Sequence, residues 1–232
     1  MAIALITAGG IGARIGKKVP KQYLTVEDVP IILYTMKNIQ DSKCYDELYV
    51  ICADGWKDFV LSYALQYNID IMRETITGGK TRFESYSNGL RELSFTHGTD
   101  EIVSIFDGNR PMTPLFIFEE AFNVIKNADC VLPLEACYDS MYFADNGSER
   151  QVVRTIGREN IFKGQSPETT RLGVANEVCQ NAQKDGKGDK TLTALMLEYG
   201  KKVIYTQGSP LNFKITTDHD FRLFKALNTI SV

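Results

Sequence analysis

Between Ala8 and Lys21 the chain gathers the residue types that hold phosphate: the run Ala8-Gly9-Gly10-Ile11-Gly12 is followed closely by Arg14, Lys17, Lys18 and Lys21. Glycines let backbone N–H groups approach an anion, and a helix N-terminus behind them adds a favourable dipole. Pro20 stiffens the stretch that presents Lys21. Glycine clusters also serve turns for conformational reasons alone, and the run Lys17 to Lys21 also reads as a solvated charge run. The sharper expectation is an anion clamp. It is not a Walker A loop, which ends in Gly-Lys-Ser/Thr, and it lacks the downstream acid on a strand that a dinucleotide fold uses.

Such a clamp has to be presented by a strand and a following helix, and the rest of the chain reads as strands alternating with amphipathic helices. Strands are expected at Ile3–Thr7, Glu47–Ala53, Ile69–Met72, Ile102–Asp107, Cys130–Pro133 and Lys202–Gln207. Helices are expected at Pro30–Gln40, Trp56–Tyr67, Thr81–Leu93, Leu115–Ala128, Thr170–Ala182, Lys190–Tyr199 and Asp218–Leu227, the last capped by Asp218. From Leu134 to about Arg154 the pattern loosens into a hairpin around Asn146-Gly147, an excursion from the main sheet. The fold expected is α/β, with a Rossmann-like, mostly parallel sheet covered by helices on both faces. Residues 1–232 are read as one domain, with a protruding β-hairpin arm at about 137–158.

Composition narrows the chemistry. The five cysteines are scattered without zinc spacing and the two histidines offer little for a metal site or a Ser-His-Asp triad. A net charge of −3 argues against a broad nucleic-acid surface. The odd, scattered cysteines read as free thiols, so the expected compartment is the cytoplasm. No apolar run is long enough to span a bilayer, and the opening residues read as a buried strand rather than a secretion signal.

The segment from Ala8 to Leu24 resembles the signature of the pyrimidine nucleotidyltransferases related to 2-C-methyl-D-erythritol 4-phosphate and ribitol-5-phosphate cytidylyltransferases, in which A-G-G-x-G-x-R precedes P-K-Q. Thr77–Leu90 is similar to that family's glycine pair and R-x-x-S segment, and Phe106–Pro111 to its D-x-x-R-P turn. Asp139-Ser140 stands where the family has Asp-Thr, Arg158 and Gly164–Glu168 resemble its R…Q-T-P-Q stretch, and Asn212–Thr217 its N-I-K-I-T-T. The six segments keep the family's order over nearly the whole chain. The fold implied is the nucleotide-diphospho-sugar transferase type.

The resemblance implies in-line attack by a substrate phosphate oxygen on the α-phosphorus of CTP, with release of pyrophosphate. Crowding anions together calls for cations and Mg²⁺ rather than a covalent nucleophile. Arg14 and Lys21 would hold the triphosphate, and Lys214 would reach the α-phosphate. Ala8, Gly9, Gly10, Ile11, Gly12, Gly78, Gly79, Arg82, Ser85 and Asp107 are implied to bind the nucleotide, with Ser85 and the glycine pair reading the cytosine edge. Asp107, at a strand's carboxyl end, would orient substrate hydroxyls or lie near Mg²⁺. Asp107, Arg110, Ser140, Arg158 and Lys214 would bind the acceptor, with Arg158 coming from a partner's arm in a homodimer. Lys214, Ser85, Arg110 and Arg158 also have plain structural readings, as a surface lysine, a helix hydroxyl and ion pairs.

The departures fall where the acceptor would sit: Ser140 replaces threonine, Asn109 stands at a usually small position, Gly157 precedes Arg158, and the T-D-x-A stretch is not recognisable in Gly188–Gly200. The phrasing around Phe162–Glu168 and Phe213–Thr217 is nearer to the ribitol-phosphate branch, implying a polyol phosphate acceptor for surface polymers. Methylerythritol phosphate, for isoprenoid synthesis, is the alternative. A catalytically silent nucleotide-binding subunit, or an enzyme activating sugars with another nucleotide, stays open.

Overall fold

The computed structural model describes residues 1–9, 19–145, 150–188 and 190–230. Of the expected site, Gly10, Ile11, Gly12 and Arg14 therefore lie outside the described residues, as do Lys17, Lys18, the Asn146-Gly147 turn and Asp189.

The first strand, β1 (Ala2–Ala8), is the centre of the sheet. It pairs in parallel with β4 (Glu47–Cys52) on one side and β6 (Ile102–Asp107) on the other, and β4 pairs in parallel with the edge strand β5 (Met72–Thr77). Alternation along β1 explains the layering. Ile3 and Leu5 pack with Tyr86, Leu90, Ala175 and Leu195, from α3 (Arg82–Leu93), α5 (Leu172–Lys184) and α6 (Leu192–Glu198). Ala4 and Ile6 point the other way, onto Met36, Val60 and Phe118 from α1 (Ile31–Ser42), α2 (Lys57–Gln66) and α4 (Leu115–Val124). Both faces are thus buried, as the near-continuous apolar reading of β1 requires.

Beyond β6 the sheet changes direction. The strand β11 (Glu168–Arg171) is antiparallel to β6 and also pairs with β7 (Cys130–Ala136). The short β10 (Phe162–Gly164) continues it along β7, whose other edge takes β12 (Val203–Gln207) in parallel. Two further strands, β8 (Met141–Ala144) and β9 (Val152–Ile156), pair only with each other, which is the hairpin expected from the loosened pattern. A small hairpin, β2 (Thr25–Val26) and β3 (Val29–Pro30), precedes α1, and α7 (Asp218–Ile230) closes the described chain.

Several boundaries differ from expectation. The strand expected at Ile69–Met72 begins at Met72 instead: Asn68 takes a left-handed φ of 53°, and Ile69 folds back to donate its N–H to the Ala64 carbonyl, ending α2. Thr170 is not helical but part of β11, where Thr169 and Thr170 are buried with their hydroxyls bonded to Ser104 and the Asp129 carbonyl. The last helix is capped not by Asp218 but by a reciprocal pair, in which Asp220 N–H donates to Thr217 Oγ1 and the Asp220 carboxylate accepts Thr217 N–H.

Candidate active site

The carboxyl ends of β1, β5 and β6 open into a cleft of about 790 Å³, the place where open α/β sheets bind ligands. Ala8 and Gly9 line it at the end of β1, Gly78 and Gly79 after β5, and Asp107 at the end of β6. Lys21 enters on a 3₁₀ turn (Lys21–Tyr23), Arg82 and Ser85 on the first turn of α3, and Lys214 from the loop before α7. Gln22 is buried, and its amide donates to the Ala8 carbonyl, fixing the Lys21 turn to the end of β1. Behind it Tyr23 stacks on Trp56 with ring centroids 4.1 Å apart.

The glycine pair is shaped by α3. Thr81 Oγ1 caps the helix by accepting Glu84 N–H at 3.0 Å, and the Glu84 carboxylate reaches back to Lys80 N–H at 2.6 Å. Ser85 was expected to read the cytosine edge. Its hydroxyl instead accepts Gly79 N–H at 3.0 Å and donates to the Thr81 carbonyl at 2.8 Å, so its single proton is already spent. Ser85 builds the loop, and one lone pair is left. Side chains have no room beside it: a Cβ on Gly78 would stand 3.2 Å from Ser85 Oγ, and one on Gly79 would overlap Glu84 Cβ at 2.2 Å.

Asp107 is the electrostatic centre. It is buried, with Lys214 Nζ at 3.0 Å and Arg82 Nη2 at 3.5 Å from Oδ1, and Arg110 Nε at 3.1 Å from Oδ2. Burial alone would raise its pKa, but the Lys214, Arg82 and Arg110 charges win and hold the carboxyl well below the usual range. Its backbone N–H donates to Ser166 Oγ.

This arrangement corrects two expectations. Arg110 is buried, with Nε on Asp107 and Nη1 donating to the Asn212 carbonyl, so it is an internal ion pair rather than a donor for an acceptor phosphate. A divalent ion on Asp107 would have to displace cations already in contact, and the described residues contain no cluster of three metal-ligating side chains. Asp107 does not fit a metal ligand.

Lys214 is aimed by a buried polar network. Asn212 donates its amide to Gln165 Oε1 and to the Ser166 carbonyl, and accepts from Thr113 Oγ1. On the other side of Lys214, Ile215 N–H donates to the Asn109 carbonyl and Asn109 Nδ2 to the Ile215 carbonyl. Every polar group of Asn212 is thereby satisfied, which is what a buried amide requires. Asn109, the larger residue at a usually small position, is the other staple.

Ser140 and Arg158 are exposed and do not line the cleft; Arg158 donates to the Tyr138 carbonyl at the base of the hairpin. Sequence reading gave no role to Glu168 or Thr193, although Glu168 sits inside one of the quoted segments. Its carboxylate accepts Thr193 N–H at 2.7 Å and Thr193 Oγ1 at 2.8 Å and pairs with Arg82 at 3.2 Å. The altered T-D-x-A region forms the start of α6, where Thr191 Oγ1 accepts Ala194 N–H. A second cavity, of about 680 Å³, meets the cleft at Thr77 and Gly78. Its Glu47 is spent on Arg73, His97 and Tyr49.

The model of the family described as "IspD: 2-C-methyl-D-erythritol 4-phosphate cytidylyltransferase" matches residues 2–229. A ribitol-5-phosphate cytidylyltransferase of Lacticaseibacillus paracasei is 30% identical over 97% of this chain and 97% of its own length. A 2-C-methyl-D-erythritol 4-phosphate cytidylyltransferase of Geotalea uraniireducens is likewise 30% identical, over 96% of this chain and 94% of its own. Among solved structures, the 4-diphosphocytidyl-2C-methyl-D-erythritol synthase of Anaerococcus prevotii superposes with a TM-score of 0.82 at 21% identity, covering 99% of this chain and 98% of that one, which shows the fold. The chain is therefore a member of the IspD family of cytidylyltransferases, a nucleotidyltransferase by descent, with relatives that act on two different acceptors.

Proposed function

We propose that the protein transfers CMP from CTP to a polyol phosphate such as ribitol 5-phosphate, giving a CDP-alditol and pyrophosphate. The observation that carries this is the convergence of Lys21, Lys214, the Gly78–Gly79 turn and Asp107 on one cleft from four separate parts of the chain. An oxygen of the acceptor phosphate attacks the α-phosphorus, a new P–O–P linkage forms, the α–β bridge breaks, and its electrons leave with pyrophosphate. In this reading Lys214 brings its ammonium to the α-phosphate, and Lys21, with Arg14, neutralises the β- and γ-phosphates. Backbone groups around Ala8, Gly9 and Gly78–Gly79 receive the base and sugar, and Arg82 the nucleotide's anionic side. Asp107 holds the cations in place and faces the acceptor's hydroxyls. A divalent cation such as Mg²⁺ is assigned to the nucleotide's own phosphates, because Asp107 is already saturated.

The choice of polyol rests on the Lacticaseibacillus relative and on the ribitol-like phrasing of the GQSPE and FKITT segments. Methylerythritol phosphate is the second reading, favoured by the family model's own description. The hairpin supports a homodimer. Tyr142, Phe143, Val152 and Val153 are all more than half exposed, and neighbours along a strand point to opposite faces, so this chain covers neither face of the arm. Residues 137–158 are accordingly read as a dimerisation arm within one domain of 1–232, and the family resemblance implies that such an arm would carry Arg158 to the partner's cleft. No described helix is long and apolar enough to cross a membrane, in keeping with a cytoplasmic enzyme that feeds surface-polymer synthesis.

The test is pyrophosphate release with CTP, UTP or ATP against ribitol 5-phosphate, other polyol phosphates and methylerythritol 4-phosphate, with Mg²⁺. Release with CTP and a polyol phosphate is expected. Turnover of methylerythritol phosphate alone overturns the acceptor, preference for another nucleotide overturns the base, and silence with every pair leaves the nucleotide-binding subunit.

A further inference from the structure

Glu168 is a buried carboxylate with no place in the reaction just described, and it does not line the cleft. Its position is nonetheless informative. Asp107 Oδ1 is shared by two cations, Lys214 Nζ at 3.0 Å and Arg82 Nη2 at 3.5 Å, and the same Arg82 nitrogen lies 3.2 Å from Glu168 Oε1. Arg82 thus has two carboxylates to choose between, and Lys214 has one. The other Glu168 oxygen is anchored by Thr193 N–H and Oγ1 at the start of α6, so the carboxylate cannot follow Arg82 if the guanidinium moves toward Asp107.

We propose that Glu168 is a positioning residue that draws Arg82 off Asp107 Oδ1 and so reserves that oxygen for Lys214. It acts at one remove: Glu168 touches Arg82, Arg82 competes for Asp107, and Asp107 fixes the ammonium. A planar guanidinium out-competes an ammonium for a carboxylate whenever it can close to bidentate range, because its fork matches the two oxygens. Without Glu168 the guanidinium closes on Asp107, and Lys214 loses its partner and swings free. The idea rests on the cleft being the reacting site, but its first readout needs no substrate.

That readout is the rate at which Lys214 is acylated by acetic anhydride in the protein without ligand, followed by mass spectrometry. Glu168→Gln is the perturbation, since glutamine keeps an oxygen for Thr193 while turning an NH₂ toward Arg82. Labelling of Lys214 is expected to rise several-fold while Lys163, a 63% exposed lysine paired with Glu135 rather than Asp107, is unchanged. In the CTP and ribitol 5-phosphate assay kcat should fall roughly tenfold to a hundredfold, the effect of losing one charged hydrogen bond, with KM for CTP within about twofold. Adding Arg82→Gln to Glu168→Gln removes the competitor: Lys214 labelling in the protein without ligand should return to the wild-type rate. Unchanged labelling in Glu168→Gln, or labelling that stays high in the double variant, overturns the proposal. If labelling behaves as expected and no substrate pair turns over, it is the proposed function that fails.

Discussion

Replacing Asp107 by asparagine tests the electrostatic centre of the cleft most directly. The side chain is 8% exposed, so its interactions with the three cations are little screened by water. They are not equal. Arg110 is itself only 10% exposed and is held at 3.1 Å, whereas Lys214 and Arg82 are 37% and 34% exposed and must be discounted as partly solvated. Breaking a buried pair by removing one partner costs about 3–5 kcal/mol, and asparagine adds an NH₂ donor where donors already crowd. With two of the three contacts discounted, the lower end, about 3 kcal/mol, is the expectation. For a chain of this size each kcal/mol moves the thermal midpoint by about 2–4 °C, so Asp107→Asn should melt roughly 6–12 °C below wild type at pH 7. The pH dependence has a definite sign. The folded-state pKa is depressed, so the stabilisation is fully present above the ordinary carboxylate range and is lost only as pH falls through the lower folded value. The gap between the proteins should be constant from about pH 5 to 8 and close only in stronger acid. Scanning calorimetry across that range is the assay. A loss under about 3 °C at pH 7, the size of an exposed ion pair, would refute the reasoning.

Two further variants address the glycine turn and the arm. Gly79→Ala drives a Cβ to 2.2 Å from Glu84 Cβ, so the turn must move; CTP affinity by calorimetric titration should fall at least about tenfold while the melting point shifts little. Retained affinity would mean that the turn does not hold the nucleotide. Tyr142→Asp with Phe143→Asp places charge on both faces of the arm. On the proposed homodimer, light scattering should report a dimer's mass for the wild type and a monomer's for the variant, with acceptor turnover lost and CTP binding intact; a variant mass equal to that of the wild type would overturn the assignment of the arm as an interface.

The sequence was most legible where side-chain periodicity and local motif coincide. Strand β1 is legible as a short apolar stretch running into glycines, and its residues are indeed buried on two faces; α3 is legible from the helical composition of Thr81–Leu93, while its capping by Thr81 and Glu84 is seen only in the structure. It failed at β11, whose buried residues are Glu168, Thr169 and Thr170. There burial is tolerated because each polar group finds a partner across the sheet, and those partners, Ser104, Asp129 and Thr193, lie 25 to 65 positions away. Edge strand β5 was misplaced for a related reason: with no strand on its outer side it carries Arg73 and Glu74 rather than an apolar run.

The site had the same limit. Motifs named Asp107, Arg110 and Lys214 correctly as neighbours, but a motif lists charges without saying which are spent on each other. Among the described ion pairs, Arg82, Arg110 and Lys214 face Asp107 and Glu168, three cations against two carboxylates. Arg110 is the cation that cannot leave, being buried and bonded to the Asn212 carbonyl. The unspent charge therefore belongs to Lys214 or Arg82, the two that reach the cleft. Which of them keeps Asp107 Oδ1 is, on the proposal above, set by Glu168, a residue whose type carries no such message until the fold sets it beside Arg82.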